Sequence, residues 1–273
     1  MNDNRQTEAL AAAVKAARQA GDLMRRNLRG AKVVKETHRH DIKLELDVRC
    51  QSVIEHTLRR ALPDAALLGE EGTTGDPEAA TRWVVDPIDG TVNFAYGIPH
   101  ACVSIALQER TSGTVAPRGK SPGYCTTLGV IYDPFTHELW TARRGQAARL
   151  NGRRVGVSTR GQLDQAMLAL GVSKGRKVIN TVAENFARLV HRVRKIRLMG
   201  SAALTLAYIA SGRMDLYLES GLRLWDIAAG GLMVECAGGR FDARPAGPDH
   251  RYWMLAGNGR LEDKLLRCLK RPA

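Results

Sequence analysis

The sequence predicts one α/β unit, and three observations support this fold class. The chain has 273 residues, of which 44% are hydrophobic and 25% charged, so it can bury a large core without disulfides or structural metal. Helical and strand patterns alternate through its second half, as in layered α/β proteins. No internal repeat or Gly/Ser/Pro-rich linker divides the chain. We place only a soft division near residue 145, between an α+β half (1–145) and an α/β half (146–273).

The first half combines helical and strand patterns. Apolar residues at spacings of three and four predict an amphipathic helix over 7–29. Apolar and charged residues alternate over 42–48, which predicts a short strand, with the alternative that its end already turns into the next helix. That second helix is predicted over 49–61. Short β-rich apolar runs then predict strands over 83–85, 103–107, 128–132 and 138–141. We expect the Gly- and Pro-containing stretch 111–127 to be an exposed loop.

The second half alternates more regularly. Helices are predicted over 181–192, 201–211, 225–237 and 261–269. Strands are predicted over 193–198, 214–219 and 252–256. Because strands and helices follow one another in turn, we expect sheets covered by layers of helices.

The composition disfavours several classes of protein. The five cysteines are scattered without a CxxC pair, and the seven histidines form no HExxH-like cluster, so we expect free thiols and no imidazole-based metal site. No run of 18 apolar residues occurs, and the polar N-terminus lacks the apolar stretch of a signal peptide. We therefore expect no membrane contact and a cytoplasmic location.

Positive charge is concentrated in one segment. The formal net charge is +13, and residues 141–200 contain fourteen basic residues but only two acids, Asp164 and Glu184. Such a field attracts polyanions or merely keeps a protein soluble, and the sequence leaves both interpretations open.

The segment 83–91 carries the most informative chemistry. A buried strand ends at Asp86, a proline fixes the backbone direction, and a second carboxylate follows at Asp89. If a helix begins near Gly90 and Thr91, its unpaired backbone amides form a phosphate site. Carboxylates repel a phosphate unless a hard divalent cation such as Mg²⁺ binds both.

Further acids extend this set. Glu70 and Glu71 lie in a predicted turn, and Asp226 stands at a strand-to-helix transition. Taken singly, each has a structural alternative, because turn acids are commonly exposed and Asp is favoured as a helix cap.

Two motifs together resemble the inositol monophosphatase family of Mg²⁺-dependent, Li⁺-sensitive phosphomonoesterases. The first comprises Trp83 to Thr91, Asn93-Phe94 and Gly97-Ile98-Pro99, and the second runs from Trp225-Asp226 through Gly230 to Ala237-Gly238-Gly239. The resemblance covers almost the whole chain. It implies a layered αβαβα sugar-phosphatase fold with mixed sheets, a homodimer, and hydrolysis of myo-inositol monophosphate to inositol and phosphate by metal-activated water.

The resemblance also implies two or three bound Mg²⁺ ions and assigns their ligands. Glu70, Asp86 and the backbone carbonyl of Ile88 would hold one ion. Asp86, Asp89 and Asp226 would hold a second, and a more weakly held third would share Glu70.

Catalytic and substrate-binding roles follow from the same resemblance. Thr91 paired with Asp47 would orient and deprotonate the attacking water. The phosphate contacts would be Asp89, Gly90 and Thr91, and the substrate wall would include Gly200, Ala202 and Glu219. Glu219 would accept a hydrogen bond from a ring hydroxyl, and Lys35 matches a family lysine near the entrance to the site. The 200–203 segment has an alternative as a small-residue helix start.

The sequence departs from the family pattern at two places, and it leaves two alternative functions open. Lys43 and Leu44 stand where family members usually carry a valine and a threonine, and the 111–127 loop is longer than usual. Relatives with the same metal ligands hydrolyse 3′-phosphoadenosine 5′-phosphate, fructose 1,6-bisphosphate or histidinol phosphate, whereas Thr91 to Phe94 and Glu219 resemble the inositol branch more closely. An alternative from a different class of function is a protein that acts mainly by binding, in which the basic 141–200 region would engage RNA or an acidic protein partner.

Overall fold

The computed structural model describes residues 1–30, 32–38, 41–111, 123–172, 176–247 and 250–269. The helices are α1 (Asp3–Asn27), α2 (Glu45–Ala61), α3 (Thr91–Ala95), α4 (Arg176–Leu189), α5 (Ala202–Ala210), α6 (Leu224–Cys236) and α7 (Glu262–Leu266), with a short 3-10 turn at Leu163–Gln165. The strands of the first half are β1 (Val34–His38), β2 (Asp41–Leu44), β3 (Ala66–Gly69), β4 (Gly72–Thr74), β5 (Thr81–Asp89), β6 (Cys102–Arg110), β7 (Tyr124–Asp133) and β8 (Glu138–Arg143). Those of the second half are β9 (Arg149–Leu150), β10 (Arg153–Arg154), β11 (Met167–Leu170), β12 (Lys195–Arg197), β13 (Leu216–Arg223), β14 (Arg240–Gly247) and β15 (Arg251–Gly257).

Two mixed sheets form the framework. The larger sheet has eight strands in the order β10-β9-β8-β7-β6-β5-β3-β4, and only the β3–β5 pair is parallel. The smaller sheet has the order β12-β11-β13-β15-β14, with β11 parallel to both β12 and β13. Strands β1 and β2 form a separate antiparallel hairpin. The prediction of mixed sheets is confirmed.

Alternating side chains explain how the layers stack. On β5, Trp83 and Val85 join the core beneath α1 and α2, whereas Val84 joins the core that contains α5 and α6. On β13, Leu216 faces α4 and α7, whereas Tyr217 faces α5 and α6. Helices α5 and α6 are therefore buried between the two sheets, and the layer order is αβαβα, as expected.

Helix α2 begins where the sequence pattern predicts a strand. Strand β2 ends at Leu44 and α2 begins at Glu45, so the strand prediction is wrong beyond Leu44 and the alternative, that the end of this segment turns into the next helix, is confirmed. The Asp47 carboxylate accepts a hydrogen bond from the Leu44 amide at 2.8 Å, which stabilises the first turn of α2. Leu46 is buried in this first turn, so its apolar character reflects helix packing.

Other predictions have mixed outcomes. Residues 112–122 of the expected loop lie outside the described residues, and β7 already begins at Tyr124. The five cysteines are free, as predicted. Among the described helices, none combines the length and the apolar content that a bilayer span requires. The division near residue 145 stays a prediction.

Candidate active site

Two carboxylates of one strand and a third that is distant in sequence converge at one place. Asp86 and Asp89 lie at the end of β5, and Asp226 lies in the first turn of α6. One oxygen from each carboxylate lies within 4.8 Å of the others. Asp86 is 2% exposed and Asp89 6% exposed, whereas Asp226 is partly buried, so the cluster lies between the larger sheet and the central helices with one member closer to solvent.

A bulge in β5 explains how Asp86 and Asp89 share one side. In a regular strand, residues three apart point to opposite faces. Here Asp86 pairs with Ser104 and Asp89 with Cys102, so three steps along β5 correspond to two along β6. The extra residue returns Asp89 to the face of Asp86, and the Ile88 amide donates to Asp86 Oδ1 at 3.0 Å.

The start of α5 binds the Asp89 carboxylate. Ser201 donates its hydroxyl hydrogen to Asp89 Oδ2, while the amides of Ala202 and Ala203 donate at 3.1 and 2.8 Å. A helix N-terminus favours negative charge, so these bonds stabilise the ionised carboxylate. The alternative interpretation of 200–203 as a helix start is confirmed, since α5 begins at Ala202 with Ser201 as its N-cap. The substrate contact of Ala202 stays a prediction, and the bond from Ser201 to Asp89 was not predicted.

Asp226 combines a capping role with its place in the cluster. Its carboxylate accepts the Arg223 amide at 2.7 Å, which caps α6. The Ser104 hydroxyl donates to the Trp225 carbonyl at 3.2 Å and ties this turn to β6. Asp226 therefore caps α6 and also belongs to the carboxylate cluster, so both interpretations of this residue are correct.

The cluster is electrostatically unfavourable without a cation. Burial raises the pKa of Asp86 well above its ordinary value, and the charges of Glu70, Asp89 and Asp226 raise it further. Burial likewise raises the pKa of Asp226, with further contributions from Asp89 and Glu70. Burial raises the pKa of Asp89, although the donors of α5 oppose this shift. Buried, mutually repelling carboxylates of this kind suit a hard divalent cation, which prefers oxygen ligands.

Glu70 lies in the turn between β3 and β4. Gln51 of α2 holds this turn, because it accepts the Glu71 amide at 3.0 Å and donates to the Gly72 carbonyl at 3.1 Å. Lys43, one of the departures from the family pattern, lies 3.7 Å from a Glu71 carboxylate oxygen. Since Glu70 shifts the pKa values of both Asp86 and Asp226, its charge acts on the cluster.

Thr91 and Asp47 lie together beside this cluster. Thr91 Oγ1 is 3.3 Å from Asp47 Oδ1 and 2.8 Å from the Ile88 carbonyl oxygen. Burial raises the pKa of Asp47 to about 7, the Leu44 amide opposes the shift, and the charge of Glu71 adds to it. Asp47 is therefore suited to accept a proton near neutral pH.

Gly90 allows the turn that leads into α3. Its φ of +93° is left-handed, and a Cβ there would lie 2.9 Å from the His100 carbonyl oxygen. Helix α3 begins at Thr91, as the motif predicted. A phosphate contact at Gly90 and Thr91 stays a prediction.

Two residues of the predicted substrate wall, Glu219 and Gly200, lie near the acidic cluster or near helix α3. Glu219 is on β13, and burial raises its pKa to about 7 while the charge of Asp89 adds to the shift. The side chain of Asn93 donates to the carbonyls of His100 and Met199, both at 2.9 Å, which brings Gly200 beside α3. Lys35 is exposed on β1, and its role stays a prediction.

The fold and the cluster define a layered αβαβα protein of the sugar-phosphatase type with a buried acidic site that could hold a metal. The sequence profile described as "Inositol monophosphatase family" matches residues 5–266, and the chain belongs to this family. Membership supports a metal-dependent phosphatase.

Individual relatives match over nearly the full chain. The Nus factor SuhB of Escherichia coli is 39% identical over 250 residues, which cover 90% of this chain and 88% of that protein. The inositol monophosphatase of Mesembryanthemum crystallinum is 36% identical, with 96% and 95% covered. The crystal structure of the extragenic suppressor protein suhB from Bartonella henselae matches with a TM-score of 0.85 and 35% identity, over 96% of this chain and 98% of that chain.

Proposed function

We propose that the protein is a Mg²⁺-dependent phosphomonoesterase that hydrolyses myo-inositol monophosphate to inositol and phosphate. The convergence of the Asp86, Asp89 and Asp226 carboxylates carries this proposal. Cleavage of a phosphate monoester depends on positioning and on neutralisation of charge, and this buried site supplies the residues for both.

The proposed metal ligands are those that the family resemblance implies, and the cluster of Asp86, Asp89 and Asp226 supports them. Glu70, Asp86 and the Ile88 carbonyl would hold one ion, and Asp86, Asp89 and Asp226 would hold a second. A third, more weakly held ion would share Glu70. When bound, Mg²⁺ supplies positive charge to the phosphate and lowers the pKa of water.

The remaining residues orient the reactants. Thr91 orients the attacking water, and Asp47 accepts its proton, a role that the raised pKa of Asp47 supports. Asp89, Gly90 and Thr91 contact the phosphate at the start of α3. Gly200, Ala202 and Glu219 line the alcohol side of the substrate.

Phosphate release from myo-inositol 1-phosphate in Mg²⁺ tests this function. Asp89→Asn and Asp226→Asn are expected to remove turnover while far-UV circular dichroism stays unchanged. The exposed acid Asp263, which pairs with Arg240, provides the control Asp263→Asn with unchanged activity. If either site variant kept more than about a tenth of the wild-type rate, the assignment of the metal ligands would be wrong.

The substrate is tested by a panel. The same assay with 3′-phosphoadenosine 5′-phosphate, fructose 1,6-bisphosphate and histidinol phosphate distinguishes the alternatives, and the inositol ester is expected to give the highest kcat/KM. Inhibition by Li⁺ stays a prediction, which the same assay tests in the presence of Li⁺. The homodimer also stays a prediction, which light scattering tests.

RNA binding is a second candidate function, supported by an exposed basic surface at the end of α4 and along the edge strand β12. Its members are Arg188, Arg192, Arg194, Lys195 and Arg197. By contrast, Arg143, Arg144 and Arg160 pair with acids elsewhere in the fold. The name of the E. coli relative, a Nus factor, adds support for a transcription-related role.

Salt-dependent retention of RNA tests this candidate. Charge reversal of Arg192, Arg194 and Lys195 to Glu is expected to abolish retention at low salt and to reduce its salt dependence. Reversal of three exposed arginines elsewhere, Arg26, Arg29 and Arg60, is the matched control. If both triple variants lose retention equally, only net charge matters. Retention of an acidic protein but not RNA would identify the alternative partner.

A further inference from the structure

Glu219 is held by a tyrosine on its own strand. Tyr217 and Glu219 are two residues apart on β13 and therefore share the face that meets α5 and α6. The Tyr217 hydroxyl donates a hydrogen bond to Glu219 Oε2. Tyr217 is 3% exposed, and burial raises its pKa well above the ordinary value, so its hydroxyl stays protonated and remains a donor.

A glycine directly after the neighbouring strand β11 provides the space for this carboxylate. Leu170 of β11 pairs with Leu218 of β13, so Gly171 comes alongside Glu219. A Cβ at Gly171 would lie 1.6 Å from Glu219 Oε2, which no side chain allows. Any larger residue at 171 would therefore displace Glu219 or break its bond with Tyr217.

The charge of Glu219 reaches the acidic cluster. The Asp89 charge raises the pKa of Glu219, and the Glu219 charge raises that of Asp226. Glu219 also shares with Tyr217 the face of β13 that meets α5 and α6, and these two helices hold Asp89 and Asp226, so Glu219 lies on the side from which the proposed substrate would be contacted. Each carboxyl oxygen offers two lone pairs, so the bond from Tyr217 to Oε2 leaves acceptor positions for a ligand hydroxyl.

We propose that Tyr217 and Gly171 are positioning residues that fix the Glu219 carboxylate as a hydroxyl acceptor, so that the site selects phosphate esters of polyhydroxylated alcohols. This inference rests on the proposed function. A site built to accept a substrate hydroxyl discriminates against an ester that lacks it, because the buried acceptor then stays unpaired.

The test compares two esters, myo-inositol 1-phosphate and phenyl phosphate, which has no hydroxyl. Tyr217→Phe removes one hydrogen bond and is expected to lower kcat/KM for the inositol ester about tenfold, mostly through KM, and to change phenyl phosphate by less than about twofold. Glu219→Gln is expected to reduce the ratio of kcat/KM for the inositol ester to kcat/KM for phenyl phosphate, as Tyr217→Phe does. Tyr252→Phe is the control, since Tyr252 is also buried in the central core on the neighbouring strand β15, and its ratio is expected to stay at the wild-type value.

Gly171→Ala tests the second part of the inference. If crowding at 171 already displaces Glu219, adding Tyr217→Phe to Gly171→Ala is expected to change the ratio no further, whereas independent sites would give additive losses. An unchanged ratio in Tyr217→Phe, or equal losses on both esters, would overturn the inference. If the wild-type protein releases phosphate from neither ester, the proposed function itself fails and this inference falls with it.

Discussion

Ser201 donates its hydroxyl hydrogen bond to Asp89, a residue 112 positions earlier in the chain. The two residues belong to different parts of the fold, since Asp89 ends β5 of the larger sheet and Ser201 precedes the central helix α5. The orientation of a proposed metal ligand therefore depends on how the central helix layer packs against the sheet.

Ser201→Ala is expected to weaken metal binding without removing it. Asp89 loses a buried donor but keeps two amides, so we expect a cost of about 1–3 kcal/mol in unfolding free energy and a higher Mg²⁺ concentration at half-saturation. Mg²⁺ titration followed by thermal unfolding measures both. Ser211→Ala, at the other end of α5, removes a hydroxyl that donates to the Ala207 carbonyl and serves as the control. Equal Mg²⁺ dependence in the two variants would contradict a role for Ser201 at the site.

Thr91→Val is expected to lower kcat by roughly a hundredfold or more, because it removes the hydroxyl that pairs with Asp47 while keeping the side-chain shape. Thr91→Ser keeps the hydroxyl and should retain activity within about tenfold of the wild type. Steady-state kinetics on both variants provide the measurement. Similar losses in the Val and Ser variants would contradict this role, because Ser keeps the hydroxyl and the losses would then follow from any change of packing at position 91.

Sequence patterns predicted the acidic residues of the site better than the backbone that orients them. The motif around Asp86 and Asp89 was visible, but the bulge that turns both to one face depends on pairing with β6, a non-local contact. The bond from Ser201 likewise depends on tertiary packing. Local patterns contain neither piece of information.

Strands β11 and β14, which the sequence patterns do not predict, also depend on non-local pairing. Strand β14 begins with partly buried residues and ends in exposed ones around Arg244 and Pro245, so no alternation marks it, and only its pairing with β15 defines it. The four residues of β11 are too few for a period to be recognised. The long helix α1, whose buried positions repeat along its length, was predicted to within a few residues.

Gly90→Ala is expected to reduce both stability and activity, and Gly145→Ala separates the two causes. Both glycines have left-handed φ angles, +93° and +83°. A Cβ at Gly145 meets nothing within 4 Å, so Ala there should cost only the backbone strain of about 1–2 kcal/mol. At Gly90 the clash with the His100 carbonyl adds to this strain and shifts Thr91. Chemical denaturation measures the stability of both variants, and phosphate release measures their activity. Equal losses of stability and activity in the two variants would contradict this account.

The metal-free protein is expected to lose stability as the pH rises from about 5.5 to 8, and Mg²⁺ is expected to reverse the loss. Burial raises the pKa values of Asp47 and Glu219 to about 7, from ordinary values of 3.8 and 4.5. A carboxyl whose pKa is raised in the fold stabilises it while protonated, fully below its ordinary pKa, and this contribution is lost as the pH passes through 7. Over that interval each group accounts for roughly 2 kcal/mol.

Thermal unfolding in EDTA at the two pH values, with and without excess Mg²⁺, measures this dependence. Asp47→Asn should flatten the metal-free profile, because the amide does not titrate, and Asp263→Asn should leave it unchanged, since that acid is exposed. Mg²⁺ should stabilise the protein more at pH 8 than at pH 5.5, because protons compete with the cation for the proposed ligands Asp86, Asp89 and Asp226, whose pKa values are raised as well. A metal-free protein whose stability rises with pH over this range would mean that these carboxylates are ionised in the fold without a cation.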